Sequence, residues 1–312
     1  MSVLMCSGQG AQKPGMGSDV LHVPEVAHAF AVASEVLGFD LASLATHGSE
    51  DEINDTYHAQ GLMMALSVGL GSVLISRGEH VEAVLGFSLG EISALALAQV
   101  LSVEDASALL NVRARAMDAA CRETSGAMLA LLAASEEDAL EVCERCAEDD
   151  VLVIANYNCP GQIVLSGSVA AIDRAQTWWC GNTAKRARAS RLKTAGAFHS
   201  PLMRSAADEV RTFCAGLEFA EPARELICNT DARPFVASEA ADRLARQIVS
   251  PVRFEQSVRF LLDQGSNRFV EVGFGGVLFT MMKRIDKEAE RYRIGSDGGL
   301  TSFLTNDLRT ER

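Results

Sequence analysis

The sequence predicts an α/β protein: a large domain on a parallel sheet, interrupted by a small α+β unit of ferredoxin-like order. Three observations carry this. Up to about residue 124, short apolar runs alternate with longer helical patterns, the rhythm of βα units with parallel strands. From Gly126 to Leu192 the order changes to β-α-β-β-α-β. Beyond that the first rhythm returns. The large domain is therefore expected to comprise 1–124 and 195–312, with 125–194 as the inserted subdomain. A chain of 312 residues that is 48% hydrophobic can bury a core of that size.

Val3-Leu4-Met5-Cys6 reads as the first strand, with Ser7 to Gln12 as the loop at its carboxyl end. Val81 to Leu85 is a second short buried strand, and Ile92, Leu95, Ala96 and Leu97 continue beyond it as a nearly all-apolar helix. Ser102-Val103-Glu104-Asp105 resembles a capping box, and Ala106, Leu109, Leu110, Met117 and Ala120 then form a stripe at helical spacing. In the insert, Met128–Leu132, Val151–Ala155, Ile163–Leu165 and Ala187–Leu192 read as strands. Glu136–Ala147, capped by Ser135, and Val169–Cys180 read as helices. Later strands are Glu225–Cys228 and Arg268–Val272, ending at Asn229 and Gly273, and the polar tail from Gly295 is peripheral.

A net charge of −13 argues against a nucleic-acid partner, because neutralising phosphates needs basic surface. One strip runs the other way: Lys185, Arg186, Arg188, Arg191 and Lys193. It is either the solvated face of an edge strand or a docking surface for an acidic partner or phosphorylated ligand. Apolar stretches are interrupted before membrane-spanning length, and the first residues lack the basic and apolar regions of a signal peptide. A cytoplasmic monomer with no membrane partner is expected. The eight cysteines fit reduced core thiols better than a disulfide framework, and Cys143-x-x-Cys146 lies in a helical pattern without a second pair, so no metal site is expected.

Gly86-Phe87-Ser88-Leu89-Gly90 joins the second strand to its helix. It is either a glycine-rich turn containing serine or a strained elbow that presents Ser88 as a nucleophile, which would make the large domain α/β-hydrolase-like. A serine needs a base. Only His199, in a loop before the Ser200-Pro201 helix start, sits where one should; His22, His28, His47, His58 and His80 lie in polar surroundings. No acid at a strand end falls between Ser88 and His199, so a conventional triad is incomplete. Arg113 falls on the apolar stripe, where a guanidinium must have a partner, either a structural carboxylate or the carboxylate of a substrate. The Gly8-Gln9-Gly10 loop lacks the remaining residues of phosphate-binding motifs and suits close approach of a backbone N–H to a reacting carbonyl.

Taken in order, these segments resemble the malonyl-CoA:acyl-carrier-protein transacylases, acyltransferases of fatty-acid and polyketide synthesis. The likeness spans nearly the whole chain. It rests on Gly8-Gln9-Gly10-Ala11-Gln12, Gln60, Gly86 to Glu91, Arg113, Asn156 to Gly167, Ala197 to Met203, Gln247 before Ser250-Pro251-Val252, and Val270-Glu271-Val272-Gly273. The resemblance implies that Ser88 is acylated, that His199 is the base, and that the Gln247 side-chain carbonyl orients His199 in place of an acid. It further implies an oxyanion hole from the N–H groups of Gln9 and Leu89, and a substrate site of Arg113, Gln60 and Asn156. Malonyl-CoA and acyl carrier protein would be the substrates, with no cofactor. A thioester hydrolase on the same fold and a non-catalytic carrier-docking module are the rival readings. Two positions depart from the family pattern: Phe87 replaces the usual histidine, and Gly273-Phe274-Gly275 replaces Gly-Pro-Gly, which bears on acyl selectivity.

Overall fold

The computed structural model describes residues 1–181 and 188–305. The chain opens with β1 (Ser2–Cys6), then runs through α1 (Pro24–Leu37), α2 (Leu41–His47), α3 (Glu50–Asn54) and α4 (Thr56–Ser76) to β2 (Val81–Gly86), α5 (Gly90–Leu97) and α6 (Val103–Glu123). Next come β3 (Gly126–Ala134), α7 (Glu136–Ala147), β4 (Leu152–Cys159), β5 (Gly161–Ser168), α8 (Val169–Gly181) and β6 (Arg188–Arg191). The rest is α9 (Arg204–Cys214), β7 (Glu225–Ile227), α10 (Ala240–Val249), α11 (Phe254–Asp263), β8 (Arg268–Val272), α12 (Val277–Ile285), β9 (Glu290–Ile294) and α13 (Asp297–Leu304).

Five strands form an all-parallel sheet in the order β7-β2-β1-β8-β9. β1, β2 and β8 are buried on both faces, which is why they read as apolar runs, whereas the edge strand β9 is partly exposed and polar. Alternate residues divide between two cores: Leu4, Cys6, Val84 and Val270 face the layer that contains α1, α4, α5 and α6, while Val3, Met5, Ala83 and Phe269 face α11 and α12. Ligand sites in such sheets gather at the carboxyl ends of the strands. Here those ends carry the loops beginning at Ser7, Phe87, Cys228 and Gly273.

The second sheet is antiparallel, order β4-β5-β3-β6, the ferredoxin-like arrangement expected from the sequence. α7 and α8 cover one face through Val142, Cys146, Ile172 and Trp179. Met128, Ala130 and Val164 on the other face join the large core. Main-chain hydrogen bonds from Tyr157 N to Val252 O (2.9 Å) and from Val252 N to Ala155 O (2.8 Å) tie this sheet to the segment after α10.

One expectation needs correcting. α4 is 21 residues long and apolar enough to cross a bilayer by length and composition, yet 83% of its span-length window is buried inside the protein. Its small residues are packing surface instead of interruptions: a Cβ at Gly69 would stand 2.7 Å from Val26 Cα, so glycine is what lets α1 lie against it. The eight cysteines are free thiols, and among the described residues no His/Cys/Asp/Glu group is placed to hold a metal ion. Lys185, Arg186 and Ala187 lie outside the described residues.

Candidate active site

The elbow at Ser88 is sterically enforced. A Cβ at Gly86 would lie 1.9 Å from Gly90 C, and one at Gly90 would lie 2.2 Å from Cys6 O, so neither position accepts a side chain without moving backbone. Ser88 itself is left-handed, φ 54°, a costly state for a non-glycine residue. Asn229, at the carboxyl end of β7, holds it there. Its Oδ1 accepts from Ser88 N at 2.7 Å while its Nδ2 donates to Gly86 O at 2.7 Å.

His199 approaches from the loop before α9, also with positive φ, 58°. Its Nε2 lies 2.7 Å from Ser88 Oγ and its Nδ1 lies 2.9 Å from the main-chain carbonyl of Gln247. A carbonyl only accepts, so Nδ1 carries the proton and Nε2 is left to accept from the serine hydroxyl. Burial, and then the Arg113 charge, hold the imidazole down to about 4, so it is neutral above that pH.

The orienting group differs from the one expected. The Gln247 side chain does not meet His199; its Nε2 donates to Ser88 O (2.8 Å) and to Glu91 Oε2 (2.7 Å), and its Oε1 faces Arg113 Nη2 at 3.5 Å. Two acceptors on one side and a cation on the other fix the amide in that sense. The main-chain carbonyl of the same residue takes over the orienting task.

Arg113 of α6 is buried, donating Nη1 to Gln60 Oε1 of α4 (2.7 Å) and Nη2 to Ser88 Oγ (3.0 Å). Among the described residues it has no carboxylate within ion-pair distance, and its Nε and the Gln60 Nε2 have no acceptor. Burial pulls the guanidinium down to about 10, against the attraction of Glu91, and leaves it charged at neutral pH.

Leu89 N and Gln9 N occupy neighbouring loops, because Cys6 pairs with Gly86 in the sheet register. Gly90 N and Glu91 N are used within the elbow, donating to Phe87 O (2.9 Å) and Ser88 O (3.0 Å). Among the described residues the Leu89 and Gln9 N–H groups have no hydrogen-bond partner. Asn156 is buried on β4 but makes no hydrogen bond to the Ser88 cluster. Phe87 turns away from the helices that supply Gln60 and Arg113. Its ring packs edge-on against Phe254 of α11, with centroids 5.7 Å apart.

The sequence reading missed two members of the site. Asn229 appeared only as the end of a strand, although the carboxyl end of the strand beside β2 is where a partner for the elbow would be sought. Glu91 lies inside the elbow motif, and a lone carboxylate in the apolar run Gly90–Leu97 is the same signal that singled out Arg113.

A serine–histidine pair at the carboxyl edge of a parallel sheet, with free N–H groups and a buried arginine beside it, defines an apparatus suited to moving carboxylated acyl groups. The chain belongs to the acyl transferase domain family, whose model matches residues 3–295. It is similar to the malonyl CoA-acyl carrier protein transacylases of Salmonella typhimurium (34% identical, covering 96% of this chain and 97% of that one) and Bacillus subtilis (35%, 97% and 96%). The solved transacylase of Xanthomonas oryzae superposes with a TM-score of 0.93 at 35% identity, covering 98% of each chain. A malonyl-transacylase solved in complex with a type II PKS acyl-carrier protein superposes at 0.92 and 33% identity, covering 98% of this chain and 99% of that one.

Proposed function

We propose that this protein transfers a malonyl group from malonyl-CoA to the phosphopantetheine thiol of an acyl carrier protein through a malonyl ester on Ser88. The observation that carries this is the Arg113 guanidinium, buried, charged, 3.0 Å from Ser88 Oγ and without an ion-pair partner among the described residues. A buried cation with an idle Nε donor beside an idle Gln60 Nε2 awaits an anion, and a planar carboxylate fits that fork. Asn156 would line the acyl end of the same site.

In the first half-reaction Ser88 Oγ attacks the thioester carbonyl while His199 Nε2 takes its proton. The carbonyl oxygen, now negative, rests on the N–H groups of Gln9 and Leu89, each such donor being worth about 3 kcal/mol in related chemistry. The C–S bond breaks, the coenzyme A thiolate takes the proton from His199, and malonyl-Ser88 remains. The carrier thiol then repeats these steps in reverse, giving ping-pong kinetics. Exchange between thioester and ester moves no net electrons, so the cycle calls for no redox group. The clamp favours this reading over a hydrolase of simple acyl groups, which would have no use for Arg113. Free thiols throughout suit a reducing cytoplasm, where we place the protein as a monomer.

Mass spectrometry of the intact chain after mixing with malonyl-CoA tests the proposal. A malonyl adduct is expected that is absent in Ser88→Ala and moves to added carrier protein. Release of free malonate with neither adduct nor transfer would sink it.

A further inference from the structure

Glu91 is 2% exposed, on the first turn of α5, with its carboxylate turned inward behind Ser88. It accepts from Gln247 Nε2 at 2.7 Å through one oxygen and from Asn229 N at 3.3 Å through the other. Both donors hold the reacting pair. Gln247 supplies the main-chain carbonyl under His199 Nδ1, and its side chain also grips Ser88 O; Asn229 grips Ser88 N. One carboxylate thus ties together α5, α10 and the loop after β7, the three pieces that fix serine and histidine relative to each other. A buried carboxylate is expensive unless something requires it. No cation lies within ion-pair distance among the described residues, and the nearby charge that favours its ionised form is Arg113.

We propose that Glu91 is a positioning residue for the Ser88–His199 pair: its carboxylate anchors Gln247 and Asn229, and its charge balances the Arg113 guanidinium while the acyl site is empty. This rests on the malonyl-transfer reading above. An amide at position 91 could not replace the carboxylate, because its NH2 would confront one of two donors that both need an acceptor. Burial, partly offset by the hydrogen bonds from Gln247 and Asn229 and by Arg113, raises the Glu91 carboxyl to about 7. The charged or titratable groups around it are Arg113 on α6, His199, Cys228 and Asp231 at the end of β7, and Arg243 on α10 beside the last two. Of these His199 protonates near 4, and Cys228 is pushed well above its usual range, so neither titrates between pH 5.5 and 8.

The expected signature is an acid limb in kcat/KM for malonyl loading, centred about pH 7, below which the rate falls to that of a Glu91→Gln enzyme. At pH 8, Glu91→Gln should load malonyl and acetyl groups alike about 10- to 100-fold more slowly, a part of the roughly 10²–10⁴ that a positioned base supplies. Its profile from pH 5.5 to 8 should be flat, and KM for malonyl-CoA should not rise, since the clamp is intact. A purely structural Glu91 would lower the melting temperature but leave kcat and the acid limb where they were, and that outcome overturns the proposal. If Glu91→Gln does not fold, the wild-type profile decides: a flat rate across this window refutes the role. Failure of wild type to form any malonyl-Ser88 would instead refute the transfer reading, so the two are separable.

Discussion

Arg113 does two things that pull against each other. In the proposed transfer its charge would receive the substrate carboxylate, and the same charge, after burial, holds His199 down and would weaken it as a base. The trade is favourable only for an acyl group that brings an anion to neutralise the guanidinium. Arg113→Ala is therefore expected to reduce kcat/KM for malonyl-CoA by about 100-fold, the equivalent of roughly 3 kcal/mol for a charged hydrogen-bonded pair. Acetyl-CoA loading should change by less than about 5-fold, because the lost Ser88 contact is offset by a more basic His199. Equal losses with the two thioesters, measured by rapid-quench loading, would rule out the carboxylate clamp. Arg113→Lys should not restore malonyl loading. A lysine ammonium cannot reach Gln60 Oε1 and Ser88 Oγ in one plane as the guanidinium does.

The elbow between β2 and α5 is the element whose failure would abolish the site without touching a reacting group. Gly90→Ala would drive a methyl into the Cys6 carbonyl 2.2 Å away, at the carboxyl end of the central strand. A loss of more than about 3 kcal/mol is expected in urea denaturation, since a packed backbone contact cannot relax as a side chain does. A variant within about 0.5 kcal/mol of wild type would mean that the elbow opens freely. The elements were legible where pattern and packing agree: β1, β2, β8 and the helix of Arg113 appear as apolar runs and stripes because both sheet faces and one helix face are buried. β4 and β5 were seen only in their apolar parts, Val151–Ala155 and Ile163–Leu165. Asn156, Asn158 and Ser166 fall outside those runs, yet they are buried in the hairpin, where Tyr157 pairs with Ile163 and Val252 adds a bridge to β4. The pairing of Ser88 with His199 was legible as well. Which of the two carbonyls of Gln247 faces His199 was not, because that depends on Glu91 claiming the side chain, a contact across 156 positions of sequence.

At the scale of the molecule, charge is distributed unevenly. The protein carries −13 overall, yet Arg188, Arg191 and Lys193 are exposed on and beside β6, the edge strand of the second sheet. Arg191 is paired with Asp173, which leaves Arg188 and Lys193 as the better probes of a docking surface. An edge strand guarded by cations is also how sheets avoid pairing with other chains, so charge by itself does not choose between protection and docking. Kinetics do, because the two half-reactions have different partners. Arg188→Glu combined with Lys193→Glu should raise KM for the carrier about 10-fold while malonyl loading from coenzyme A stays as it was. The wild-type advantage should shrink at high salt as exposed charges are screened. A fall in loading from malonyl-CoA, with carrier kinetics unchanged, would assign the strip to the phosphates of coenzyme A. No change in either half-reaction would leave β6 with edge protection as its role.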